Sequence, residues 1–128
     1  MMHIKGIHHI SMIVHSPQTT VDFYHGILQL DFIKQTINFD DPYTYHLYFG
    51  RHEDPIGSLL TFFPWLGGRR GRVGAGQIHC IQLSIPKDTK LYWKNRLKSF
   101  DIYTKDLLHQ DLKGLSFKDP DGIHYEML

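Results

Sequence analysis

The sequence contains a single cysteine, Cys80, so no internal disulfide can form and a reducing, cytoplasmic setting is the natural reading. It has no apolar run near the roughly 18 residues that a bilayer-spanning helix requires, which argues against a membrane segment. Neither sign of charge dominates: 14 Lys and Arg face 13 Asp and Glu, a formal net charge of +1, too weak a field to suggest nucleic acid as a partner. The opening residues Met1-Met2-His3-Ile4-Lys5 lack an apolar core and a small-residue cleavage site, so no secretory leader is expected. These absences point to a small-molecule partner. At 128 residues, 41% of them hydrophobic, the chain is read as one domain, large enough to bury about two-thirds of its unfolded surface. Histidine stands out among what is present, with ten copies of the side chain most used for metal binding and proton transfer.

The chain also repeats itself. Ile7-His8-His9-Ile10 returns as Ile78-His79-Cys80-Ile81, and each is followed by an alternating stretch, Ser11-Met12-Ile13-Val14 or Gln82-Leu83-Ser84-Ile85. A helix is expected after each strand. Ser16 can cap the first, with Pro17 at its first helical position, and Asp88 can cap the second. Val21, Phe23, Ile27 and Leu30 correspond to Leu91, Trp93, Leu97 and Phe100 as the apolar faces. Phe32 to Phe39 and Tyr43 to Gly50 read as strands, and 103–117 divides into two around Asp111 and Gly114. Asp54-Pro55-Ile56-Gly57 recurs as Asp119-Pro120-Asp121-Gly122, a turn before the last strand of each half. The fold class is therefore α+β, two βαβββ modules spanning about 4–64 and 77–128 and enclosing a polar cleft, with a linker at 65–76. That linker carries Arg69, Arg70 and Arg72 among glycines. The arginines could meet an anion, but no strand-glycine-helix context makes the segment a phosphate loop.

Strand alternation then sorts the polar residues. Ile10, Met12 and Val14 share the helix-packed face with His8, sending His9, Ser11 and Ile13 to the other side. In the fifth strand His79, Ile81, Leu83 and Ile85 form the helix-packed face, while Cys80, Gln82 and Ser84 look inward to the cleft. In the last strand His124 and Glu126 point together, opposite Ile123, Tyr125 and Met127, and Thr61 is the counterpart of Glu126. His9, Cys80, His124 and Glu126 thus become candidates for a divalent ion. Residue type alone leaves packing roles open for Cys80 and His124, but a carboxylate on an inward strand face needs a cation or strong hydrogen bonds.

Gly6-Ile7-His8-His9-Ile10-Ser11, Val21-Asp22-Phe23-Tyr24 and Asp119-Pro120-Asp121-Gly122-Ile123-His124-Tyr125-Glu126 resemble the vicinal oxygen chelate superfamily, which includes glyoxalases, bleomycin-resistance proteins and extradiol dioxygenases. The segment from Asn38 to Gly50, Thr61-Phe62-Phe63-Pro64-Trp65 and the Arg-Gly linker are similar to the first domain of hydroquinone-type ring-cleaving dioxygenases. That resemblance implies a curved mixed sheet around a cleft. It also implies a divalent metal, Fe or Mn first and Zn as the alternative, held by His9, Cys80 and Glu126, with His8, Ser11 and His79 around the substrate. Family members commonly have histidine where Cys80 stands. The implied activity is ring opening of a catechol or hydroquinone.

Ring-cleaving relatives carry two such domains per chain, so a homodimer is the expected way to complete a shared site. Two other functions remain open: a non-catalytic small-molecule binding or resistance protein, and a zinc-dependent lyase or thiol transferase, which the Cys80 thiolate would favour.

Overall fold

The computed structural model describes residues 2–128, which form two compact units dividing between Arg69 and Arg70, inside the glycine-rich segment. Each unit repeats the order strand, helix, three strands, and builds one mixed four-stranded sheet. None of the described helices is long and apolar enough to cross a membrane.

In the first unit β1 (His9–Val14) runs parallel to β4 (Leu59–Pro64), and β2 (Asp31–Ile37), β3 (Tyr45–Gly50) and β4 follow antiparallel, giving the order β1-β4-β3-β2. The expected alternation holds in β1, where Val14 is buried and Ile10 and Met12 half-buried, while His9, Ser11 and Ile13 are exposed. His8 precedes the first ladder pair and is exposed, so the strand pattern does not reach it.

Helix α1 (Pro17–Val21) starts as its sequence directs: the Ser16 hydroxyl accepts the Thr19 N–H at 3.3 Å, and Pro17 occupies a position that needs no donor. From Asp22 to Ile27 the chain widens into a π-helical turn, in which Leu28 N–H reaches the Phe23 carbonyl at 2.9 Å. The extra residue per turn rotates the buried stripe. Phe23 is buried as expected, but Tyr24 and Leu28 join it in place of Val21, Ile27 and Leu30, which are half-buried. Tyr24 packs on Phe62 and Phe49, at ring separations of 4.2 and 5.7 Å, and this aromatic group forms the core of the unit.

In the second unit β5 (Ile81–Leu83) is parallel to β8 (His124–Met127), and β7 (Leu112–Lys118) and β6 (Lys105–His109) continue antiparallel. The break near Asp111 is a two-residue turn with Gln110 and Asp111 at φ 46° and 70°. Gly114 is not part of it. It lies within β7, where a Cβ would run into the Met127 carbonyl.

Helix α2 (Lys90–Ser99) departs from expectation at both ends. Asp88 sits at φ 65° and Thr89 takes the cap position, without a side-chain hydrogen bond to the helix. Leu97 is buried and Trp93 half-buried against the sheet, but Leu91 and Phe100 are exposed. Leu91, two residues before Trp93, falls on the far side of an α-helix from the stripe through 93 and 97, and Phe100 is the C-cap residue, past the last helical position. The Asp119 turn before β8 is fixed by its own buried carboxylate, which accepts the N–H groups of Asp121 at 2.9 Å and Ile123 at 2.7 Å, with Gly122 at φ 87°.

Candidate metal centre

β8 determines the geometry of the centre. Tyr125 and Met127 are buried, and alternation therefore turns His124 and Glu126 together to the opposite face, both half-buried. The parallel register places Gln82 beside Glu126, and the Gln82 amide donates to its Oε2 at 2.9 Å. Cys80, just ahead of β5, is two residues back from Gln82 and falls on the same side. As a result Cys80, His124 and Glu126 offer one thiol sulfur, one imidazole nitrogen and one carboxylate oxygen, all within 4.8 Å of one another. Among the described residues this is the one group of three such donors.

The Cys80 thiol is half-buried and donates weakly to the Ile81 carbonyl at 3.7 Å. Burial, reinforced by the neighbouring Glu126 carboxylate, pushes its pKa above the usual thiol range. A cation would reverse both effects, since it stabilises thiolate and carboxylate together. Ligand atoms held at about 2.0–2.3 Å from a zinc-type ion lie roughly 3.3–3.8 Å apart, so the three donors fit one ion after a closure of about 1 Å. His79 is exposed because β5 begins only at Ile81, which removes it from the helix-packed face expected for it. Its ring meets that of His124 edge-on at 5.5 Å.

The remaining predicted site residues lie in the first unit. His9 is exposed at the start of β1, and its Nδ1 lies 2.9 Å from that of His8, so one of the two rings donates to the other. Ser11 pairs with Thr61 across β1 and β4, their hydroxyls 2.8 Å apart. This rung is the counterpart of Gln82 and Glu126. A hydroxyl pair therefore stands in the first copy where the second has an amide and a carboxylate.

His124 is the group member that the family resemblance does not include, although strand alternation makes it a candidate beside Glu126. Its alternation with Glu126 put it on the right face, but its meeting with Cys80 depends on the parallel β5–β8 register, which no local pattern reveals.

No family model matches the chain. Among curated proteins it is 46% identical, over 96% of its length and 39% of the relative's, to Bacillus subtilis MhqO, provisionally named a ring-cleaving dioxygenase. It is 33% identical to the chlorohydroquinone/hydroquinone 1,2-dioxygenase of Sphingobium indicum, over 98% of this chain and 40% of that one. The chain thus spans about two-fifths of the length of the curated relatives it matches. A Bacillus subtilis crystal structure described as a dioxygenase on provisional grounds superposes with a TM-score of 0.91 at 45% identity, covering 95% of this chain and 39% of that one. A glyoxalase/bleomycin resistance/dioxygenase domain from Frankia shares the fold, with a TM-score of 0.80 at 17% identity over 98% and 97% of the two chains.

Proposed function

From its similarity to ring-cleaving dioxygenases, we propose that the chain belongs to the vicinal oxygen chelate superfamily and takes part in divalent-metal-dependent ring cleavage of a small aromatic diol of the catechol or hydroquinone class. The observation that carries this reading is the Cys80–His124–Glu126 group, three donors of the right chemistry on a chain similar to ring-cleaving dioxygenases. A bound ion would supply a Lewis-acid centre with open positions for small ligands. Fe or Mn suits dioxygen chemistry.

The chain's own residues have distinct tasks in this scheme. Glu126 and His124 hold the ion from one strand and Cys80 closes it from the next. The Gln82 amide fixes one carboxylate oxygen and so orients the other. His79 limits rotation of the His124 ring. His9, a ligand by family resemblance, belongs to the first unit and in a homodimer would serve as a ligand for the ion of a second copy. Within the His8–His9 pair a proton can pass between the facing Nδ1 atoms, which suits His8 to proton transfer. Ser11, held by Thr61, presents a hydroxyl to substrate.

One observation favours a second reading. A thiol among the ligands selects zinc, which has no redox chemistry, and would turn the same scaffold to lyase or thiol-transfer reactions. Elemental analysis of protein purified without chelator, combined with oxygen uptake on hydroquinone, separates the two. Stoichiometric Fe or Mn with oxygen consumption supports ring cleavage. Zinc without oxygen consumption supports the alternative, and absence of any metal at wild-type His124 and Glu126 overturns both.

A further inference from the structure

The first unit holds a second constellation that the metal group does not use. Ladder pairing puts Lys34 opposite Tyr48, Thr36 opposite His46, and Tyr48 opposite Thr61, so these side chains share the sheet face that also bears His9 and Ser11. The opposite face carries the buried Leu47, Phe49 and Phe62. On the first face the His46 ring stacks on Phe63 at 4.0 Å and 26°, and lies against Tyr48 at 4.2 Å and 37°. Its Nδ1 is 2.8 Å from the Tyr48 hydroxyl. The Lys34 ammonium sits over the Tyr48 ring, 4.6 Å from its centre.

One atom in this group is left over. His46 Nε2 is shielded from solvent and has no hydrogen-bond partner among the described residues, an arrangement that native proteins seldom keep without a use. Burial, then the nearby His9 and Lys34, hold the His46 pKa below its ordinary value, so at neutral pH the ring is uncharged. Nε2 then offers a single neutral hydrogen-bonding position. Whether it donates or accepts follows from which way the Nδ1–Tyr48 bond runs, and a phenolic hydroxyl can answer either.

We propose that this face is a binding site for a phenolic ring, with the hydroxyl meeting His46 Nε2 and the ring lying against Phe63 and Tyr48. Each part of the group narrows the ligand. Aromatic walls select a flat ring. A dry, unpaired nitrogen rewards one hydroxyl, because the new hydrogen bond displaces no water from that atom. The Lys34 ammonium repels a cationic ligand and favours a hydroxyl with acidic character. Because Nε2 is shielded, binding requires the imidazole or the stacked Phe63 ring to turn aside.

The inference rests on the functional reading above only in taking a small aromatic diol as ligand, and it requires no metal. Calorimetric titration of the metal-stripped full chain with hydroquinone, and with 1,4-dimethoxybenzene as a hydroxyl-free control, tests it. The variant His46→Phe keeps the stacking and removes the nitrogen, and His46→Asn keeps a polar group with less stacking. Hydroquinone affinity falls about tenfold or more in His46→Phe while that of dimethoxybenzene stays constant, and in wild type the His46 ring resonances shift on adding hydroquinone. Equal hydroquinone affinity in wild type and His46→Phe, or no hydroquinone binding by a chain whose metal uptake is intact, overturns the proposal while leaving the metal reading standing. Hydroquinone binding that depends on His46 in a chain that takes up no metal supports it and overturns that reading instead. If His46→Phe does not fold, the wild-type resonances decide: ring shifts with hydroquinone but not with the control support the proposal, and their absence overturns it.

Discussion

Cys80 is the residue in which metal preference is concentrated. Family resemblance leads one to expect histidine there, and a soft thiolate in its place moves affinity toward zinc. Replacing Cys80 with Ser is expected to lower zinc affinity at least about tenfold while changing manganese affinity much less, as read by competition titration with a chromophoric chelator. His46 provides a different residue-scale test. Its pKa is depressed in the folded chain, so on acidification the unfolded chain takes up the proton first and stability is lost as pH falls through the ordinary histidine value of about 6.5 toward the lower folded value. Melting temperature measured from pH 7.5 to 5 should drop more steeply in wild type than in His46→Phe, and matching slopes would remove His46 as a cause.

Elements differ in how well the sequence describes them. The strands are legible because one buried face imposes a period of two: Ile10, Met12 and Val14 in β1, and Tyr125 and Met127 in β8, lie where alternation puts them. Ser16 and Pro17 likewise mark the start of α1. The π-helical turn is invisible to any argument that assumes 3.6 residues per turn, which is why Tyr24 and Leu28 were not expected in the core. At α2 the choice between Asp88 and Thr89 is a backbone question, settled by the left-handed φ of Asp88. For the metal centre, the shared face of His124 and Glu126 could be read from alternation, whereas the approach of Cys80 needed the pairing of strands distant in sequence. The Asp119 turn shows the dependence of site on element, because it sets where β8 begins. Asp119→Ala removes the acceptor of two backbone N–H groups and is expected to cost about 1–3 kcal/mol in denaturant unfolding. It should also weaken metal uptake, since His124 and Glu126 lose their anchored strand. Unchanged metal affinity would show that β8 is positioned without the turn.

For the whole molecule, the decisive fact is that the chain covers about two-fifths of the length of its curated relatives. If its sites are shared between copies, light scattering should give twice the 15.0 kDa chain mass, and metal content should remain one ion per chain. A monomer that binds metal with undiminished affinity would confine the centre to a single chain.

The matched rungs Ser11–Thr61 and Gln82–Glu126 also offer an experimental convenience. The first unit demonstrates that this backbone arrangement accommodates a hydroxyl pair at the rung, so the double replacement Gln82→Ser and Glu126→Thr copies into the second unit a solution the molecule already contains. Such a chain should melt within a few degrees of wild type and take up no stoichiometric metal. It would serve as a metal-blind control designed from the protein's own duplicate, free of the uncertainty that attends an arbitrary knockout.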